Sequence, residues 1–175
     1  MSLSRKEFLT RGVLSLRELL VPPRSPECRD EGRQFVRPPG CILERVGECG
    51  ECDLCRNACP EQVITLPADV EGPVMDFSSG GCSFCYLCSG ACPSGVLASS
   101  LEGEQSRLGL ATPTTGCLAA GGCFTCSERC PQEAIKVSWG SGITVDRERC
   151  IGCGSCESSC PVRPAAIRVE PVAVL

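Results

Sequence analysis

Cysteine spacing constrains this chain more than any other feature of its sequence. Eighteen of its 175 residues are cysteine, and at about one residue in ten cysteine chemistry is expected to organise the fold. Two of them, Cys28 and Cys41, lie outside any cluster, and the other sixteen fall into four runs. The runs are Cys49, Cys52, Cys55, Cys59; Cys82, Cys85, Cys88, Cys92; Cys117, Cys123, Cys126, Cys130; and Cys150, Cys153, Cys156, Cys160.

Three of the four runs have the spacing C-x2-C-x2-C-x3-C, and all four end in Cys-Pro. This spacing is typical of bacterial ferredoxins, whose thiolates hold [4Fe-4S] clusters. The proline after the fourth cysteine predicts that this cysteine stands at the start of a helix. The third run departs from the pattern, because five residues separate Cys117 from Cys123. We expect Cys117 to ligate nonetheless, over a longer loop.

Zinc and disulfides are the two rival uses of so many cysteines. Structural zinc sites use two C-x2-C pairs, in which a third cysteine two residues on has no role, and the chain has no histidine for mixed sites. Disulfide scaffolds belong to exported chains. The segment from Ser4 to Leu9 is similar to a twin-arginine export signal, but charged residues interrupt Thr10 to Leu20, where an apolar stretch should follow. These patterns favour clusters in a cytoplasmic protein.

The four runs indicate a duplicated module, because the second cysteines of runs one and three are 71 residues apart and those of runs two and four 68 apart. Each half contains a predicted β-hairpin, at 63–66 with 74–77 and at 135–138 with 143–146. The fold class predicted is α+β, with two tandem ferredoxin-like modules built around the clusters. The predicted boundaries are a basic amphipathic arm at 1–40, a first module at 41–101, a linker at 102–116 and a second module at 117–175.

Residues 117–169, and less closely 49–98, resemble bacterial two-cluster ferredoxins. The whole chain is similar to the NapF family of ferredoxin-type proteins, which are encoded with periplasmic nitrate reductases. The matching segments are Ser4 to Gly12, Arg37-Pro38-Pro39, Cys82 to Cys88, the widened third run and Cys150 to Gly154. This resemblance implies a cytoplasmic accessory protein that contacts the precursor of the nitrate reductase catalytic subunit and assists assembly or reduction of its iron–sulfur cluster.

Resemblance to two-cluster ferredoxins also implies cross-ligation, in which the fourth cysteine of each run ligates the neighbouring cluster. Four [4Fe-4S] clusters are then expected, two in each half. Their ligand sets are Cys49, Cys52, Cys55 with Cys92; Cys82, Cys85, Cys88 with Cys59; Cys117, Cys123, Cys126 with Cys160; and Cys150, Cys153, Cys156 with Cys130. Cys28 and Cys41 are expected to be free thiols.

The charge and hydropathy of the chain exclude some classes of function. The net charge of -4 and the pI of about 5.0 argue against nucleic-acid binding, and no apolar run is long enough for a transmembrane helix. Residues 1–40 carry eight basic against five acidic side chains, and 41–175 carry nine against sixteen. The stripe of Leu9, Val13, Leu16 and Leu20 either packs on the protein's own body or docks a partner.

The sequence contains no nucleotide-binding fingerprint and no distinctive acid–base pair, which favours a carrier over an enzyme. Besides maturation, a second hypothesis is a general polyferredoxin that shuttles electrons between a reductase and an oxidoreductase, with peripheral contact to a redox complex. A third hypothesis is that the clusters only hold the fold together.

Overall fold

A computed structural model of the protein describes residues 35–98 and 107–172. Residues 1–34 of the predicted arm, which include the leucine stripe and Cys28, therefore lie outside the described residues. Within the described ranges no helix is long and apolar enough to cross a bilayer.

The regular elements are short. The α-helices of the described ranges are α1 Leu54–Ala58, α2 Leu87–Gly90, α3 Thr125–Glu128 and α4 Ser155–Ser158, and the 3-10 helices are Leu43–Cys49 and Ala119–Gly121. The strands are β1 Ile64–Thr65, β2 Val74–Met75, β3 Leu110–Pro113, β4 Ile135–Ser138, β5 Gly142–Val145 and β6 Ile167–Glu170. The structure is thus a mixture of one-turn helices and two-stranded sheets, in agreement with the predicted α+β class.

Each α-helix carries the third cysteine of a run, and the fourth cysteine follows the helix. The prediction of a helix that starts at Cys-Pro is therefore wrong. After Pro131 the chain makes a turn in which the Glu133 N–H donates to the Cys130 carbonyl at 3.1 Å. Glu133 has a left-handed φ of 48°, and Gln62, at the equivalent position after the first run, has a φ of 53°. A right-handed helix cannot continue through a residue in this conformation. Proline suits the second position of a turn as well as a helix start, so its presence alone does not separate the two.

The two predicted hairpins are confirmed. In the first half β1 pairs antiparallel with β2, and in the second half β4 pairs antiparallel with β5. The first hairpin is shorter than predicted, with two paired residues in each strand. Both hairpins connect the two cysteine runs of their own half.

A third pairing joins the beginning of each half to its end. In the second half β3 pairs antiparallel with β6, and in the first half Cys41 forms an isolated bridge with Leu97. The strand β3 lies inside 102–116, the segment whose composition suggests a linker. It forms because β6, more than fifty residues further along the chain, supplies its partner, and local composition does not reveal such a long-range pairing.

The two halves also contact each other. Val36, Phe77 and Leu108 form a buried cluster against which Phe84 packs. These residues come from the segment before the first run, the strand end before the second run, and the segment before β3. The described halves therefore share a small apolar core.

Elsewhere the buried core contains cysteine as often as aliphatic side chains. In the second half Cys126, Cys150, Cys156 and Cys160 are buried together with Ala134 and Ile167. In the first half Cys55, Cys59 and Cys88 are buried with a few aliphatic residues. With so little apolar area, stability has to come largely from whatever the thiols bind.

We therefore expect the iron-free protein to lose most of its structure. Removal of iron by a chelator should abolish native far-UV circular dichroism, because the bonds from iron to the thiols would be lost and the small apolar core that remains cannot hold the loops together. The check is far-UV circular dichroism recorded alongside iron content, with iron and sulfide added back as the control for reversibility. A native spectrum at zero iron would contradict this expectation.

Candidate iron–sulfur sites

One cavity of the second half is lined by cysteines from two different runs. Cys117, Cys123 and Cys126 of the third run reach it together with Cys160 of the fourth. The other lining residues are all apolar: Leu118, Ala119, Ile143, Pro161, Val162, Ala166 and Ile167. The sequence predicts this combination of four cysteines, the distant Cys117 included.

A second cavity, in the first half, has the same construction. Cys82, Cys85 and Cys88 of the second run line it with Cys59 of the first. Val63, Ile64, Met75 and Tyr86 contribute to its wall. In each half, therefore, one cavity combines three cysteines of one run with the last cysteine of the neighbouring run.

In the other two predicted sets, cysteines from neighbouring runs are close enough to affect one another's pKa. Burial raises the pKa of the Cys49 thiol, and the nearby thiols of Cys92 and Cys52 raise it further. Burial also raises the pKa of the Cys156 thiol, and four nearby thiols raise it further, in order of decreasing influence Cys153, Cys150, Cys126 and Cys130. Cys92 thus lies near the first run, and both Cys126 and Cys130 lie near the fourth.

Burial gives these thiols an unusual ionisation. It raises the pKa of Cys55, Cys82 and Cys126 to about 11 each. Only the thiolate binds metal, so four ionised cysteines in one apolar cavity need a cation to offset their charge. The donor set and the apolar wall both fit an iron–sulfur cluster.

A single metal ion fits less well. Within 35–98 and 107–172 no group of three or more cysteine or carboxylate side chains is arranged to hold one ion. A zinc ion needs its four ligands within about 2.3 Å of one point. Every cysteine in the described ranges is unbridged.

Backbone amides donate to several of the sulfur atoms. The donor–acceptor pairs are Leu97 N–H to Cys92 Sγ at 3.4 Å, Ala134 to Cys130 at 3.3 Å, Ala166 to Cys160 at 3.4 Å and Ala111 to Cys150 at 3.4 Å. Such bonds stabilise negative charge on sulfur and tune the reduction potential of a bound cluster. At Cys92, burial acts to raise the pKa, but the amide of Leu97 and the hydroxyl of Ser94 lower it overall.

The second and fourth runs adopt the same loop conformation with different residues. Phe84 and Tyr86, on either side of Cys85, have left-handed φ values of 55° and 56°. Gly152 and Gly154 occupy the equivalent positions of the fourth run, with φ values of 71° and 82°. Aromatic residues therefore accept a conformation that costs them roughly 1–2 kcal/mol each. Phe84 packs on the core between the halves, and Tyr86 lines the first-half cavity.

Cys41 belongs to neither cavity. Burial raises the pKa of its thiol, Arg37 lowers it, and Cys49 and Cys92 are among its neighbours. It is half-buried at the bridge to Leu97 and forms no disulfide.

Models of protein families match two parts of the chain. A 4Fe-4S dicluster domain matches residues 48–96, and a 4Fe-4S binding domain matches residues 143–164. These ranges contain the first, second and fourth runs. The third run, with its widened spacing, lies outside both matches.

Individual relatives cover most of the chain. The methylamine utilization ferredoxin-type protein MauM of Methylorubrum extorquens is 31% identical over 196 aligned residues, which cover 96% of this chain and 89% of that protein. The ferredoxin-type protein NapG of Escherichia coli is 31% identical over 165 residues, which cover 79% and 71%. MauM of Methylophilus methylotrophus is 33% identical over 159 residues, which cover 78% and 70%. These names are those of ferredoxin-type proteins other than NapF.

Replacement of Cys117 tests whether the widened run binds iron. The variant Cys117→Ser should lose about four iron atoms per chain, because it removes one sulfur from the cavity that Cys160 completes. The matched control is Cys41→Ser, which makes the same change at a half-buried cysteine that lines neither cavity. Iron analysis after anaerobic reconstitution gives the answer. Equal iron content in the two variants would show that Cys117 is not a ligand.

Proposed function

The chain belongs to the ferredoxin-type iron–sulfur proteins, and from that membership we propose that it carries electrons through four [4Fe-4S] clusters in two cross-ligated pairs. The observation that supports this most is the make-up of the two cavities. Each combines three cysteines of one run with the last cysteine of the neighbouring run, which is how two-cluster ferredoxins bind their clusters.

The proposed ligands are the sixteen cysteines of the four runs. In the first half, Cys92 completes the set of the first run and Cys59 that of the second. In the second half, Cys160 completes the set of the third run and Cys130 that of the fourth. Cys28 and Cys41 remain outside these sets.

A bound [4Fe-4S] cluster supplies one-electron redox chemistry at a potential that its surroundings set. This chain's own residues provide those surroundings. The amides of Leu97, Ala134 and Ala166 donate to ligand sulfurs, and the aliphatic wall around Cys117 keeps water away. Because the walls consist of thiols and mainly apolar groups, they suit a carrier better than an enzyme that orients a substrate.

Charge indicates the kind of partner. Residues 41–175 carry nine basic and sixteen acidic side chains, and four oxidised clusters bring the charge of the whole chain from -4 to about -12. An acidic carrier is drawn to basic surfaces. We therefore propose docking on redox proteins, or on a peripheral face of a redox complex, that present basic residues.

A second candidate function is maturation of a periplasmic nitrate reductase. The observation that favours it is the similarity of Ser4 to Gly12 and of Arg37-Pro38-Pro39 to NapF-type proteins. In this role the protein would act in the cytoplasm on the precursor of the catalytic subunit before export. Cytoplasmic residence also suits the carrier role, because thiols stay reduced there and free to bind iron.

Iron and sulfide content tests the number of clusters. The reconstituted full chain should contain about 16 iron and about 16 sulfide per chain. Chemical analysis on protein freed of unbound iron gives both values. A plateau at about eight of each would mean two clusters and would overturn the four-cluster proposal.

Cluster retention separates the two functions. A carrier should keep its iron during anaerobic incubation with the apo-form of the nitrate reductase catalytic subunit, and its clusters should be reduced and reoxidised repeatedly by a redox partner without loss of iron. Iron analysis of both proteins after separation is the measurement. Transfer of iron to the subunit would instead support maturation.

A further inference from the structure

The two halves meet where the loops of the second and fourth runs touch. The Cys82 N–H donates to the Cys153 carbonyl at 2.7 Å. A Cβ atom added to Gly81 would lie 2.9 Å from the Ser155 nitrogen and 3.0 Å from the Cys153 oxygen. Backbone therefore meets backbone at this contact, with no room for a side chain.

The cysteine loop of the fourth run is more buried than the loops of the other three runs. Its second cysteine, Cys153, is only 9% exposed. The equivalent cysteines are exposed in the second run, at Cys85, and half-buried in the first and third, at Cys52 and Cys123. Phe77 and Cys82 of the first half contact the fourth loop, and Gly109 of its own half covers Gly152. The fourth loop therefore makes an internal contact that includes the first half.

Phe77 fixes this contact from the side of the first half. A Cβ atom added to Gly154 would lie 2.0 Å from Cδ1 of the Phe77 ring. The left-handed φ of Gly154 does not by itself require glycine, because Tyr86 has the same conformation at the equivalent position of the second loop. What requires glycine at position 154 is the close approach of Phe77.

We propose that the contact between Cys82 and Cys153 is the junction through which the two halves exchange electrons. This inference rests on the four clusters proposed above. It places the clusters in the spatial order first, second, fourth, third, which differs from their order in the sequence. If clusters are bound at both loops, an electron that crosses the junction in either direction would oxidise one centre by one electron and reduce the other by one, and no bond or proton would change.

Gly81, Phe77 and Gly154 are positioning residues in this account. They hold the two ligand loops in contact, and one hydrogen bond links the backbones of two proposed ligands. Electron tunnelling weakens steeply with distance, so a small separation of the loops should slow exchange between the halves without removing any ligand.

The test separates the loops by one methyl group. In Gly81→Ala the new methyl group presses on Cys153 and Ser155 of the other half. The matched control is Gly90→Ala, which adds a methyl group to the same cysteine run with no atom within 4 Å. Both full-length proteins are reconstituted anaerobically, analysed for iron, reduced with dithionite and examined by EPR at increasing microwave power.

Microwave saturation reports how strongly each reduced centre is relaxed by its magnetic neighbours. We expect Gly81→Ala to keep wild-type iron and spin count, while part of its signal saturates at severalfold lower power than in wild type and in Gly90→Ala. Wild-type iron with unchanged saturation would overturn the junction alone. Iron well below about 16 per chain in the wild type would instead overturn the proposed function, and the junction with it.

A second variant covers the case in which Gly81→Ala loses iron. Phe77→Leu leaves both cysteine loops unaltered and removes part of the packing that holds Gly154 against the first half, so the two loops should separate by less than in Gly81→Ala. Its saturation power should shift in the same direction by a smaller factor. An unchanged saturation power in Phe77→Leu, at wild-type iron content, would contradict the proposed junction.

Discussion

Thiols such as those of Cys82 and Cys126, whose pKa values burial raises to about 11, are ionised in a largely apolar cavity only when a cation is bound beside them. In the proposed account, binding of iron by these sulfurs is therefore the interaction on which the remaining structure depends. The α-helices have about one turn each, the sheets have few residues, and two of the buried clusters contain cysteine. None of these elements has enough apolar contact to be stable by itself.

Pairing between distant segments organises the chain around those sulfurs. The ends of each half are joined, by β3 with β6 in the second half and by the Cys41–Leu97 bridge in the first. Cys59 and Cys160 each line a cavity with three cysteines of the neighbouring run, which brings the two loops of each half together. Phe77 and the Cys82–Cys153 hydrogen bond then join the halves. In the proposed account the same contacts that stabilise the fold also connect the redox centres.

Local patterns in the sequence predict the cysteine runs and the hairpins, but not the turns after Cys-Pro or the long-range contacts. Cysteine spacing predicts the four runs, and the resemblance to two-cluster ferredoxins implies which cysteines of neighbouring runs come together. Strand patterns separated by glycine-containing turns predict both hairpins. The turn after Cys-Pro is not predicted, because proline fits a turn and a helix start equally well. Local composition does not predict the pairing of β3 with β6 or the contact of Phe77 with Gly154, because both join residues that are far apart in the sequence. The one available signal is the Gly152-Cys153-Gly154 sequence, in which both neighbours of a ligand lack side chains where the second run has Phe84 and Tyr86.

The most direct test of the central claim is to locate the iron. Anomalous scattering at the iron edge, from anaerobically grown crystals of the reconstituted protein, shows each cluster and the cysteines that surround it. Our account predicts four clusters, each bound by three cysteines of one run and the last cysteine of the neighbouring run. Clusters bound by all four cysteines of a single run would contradict it, as would a chain that holds only two.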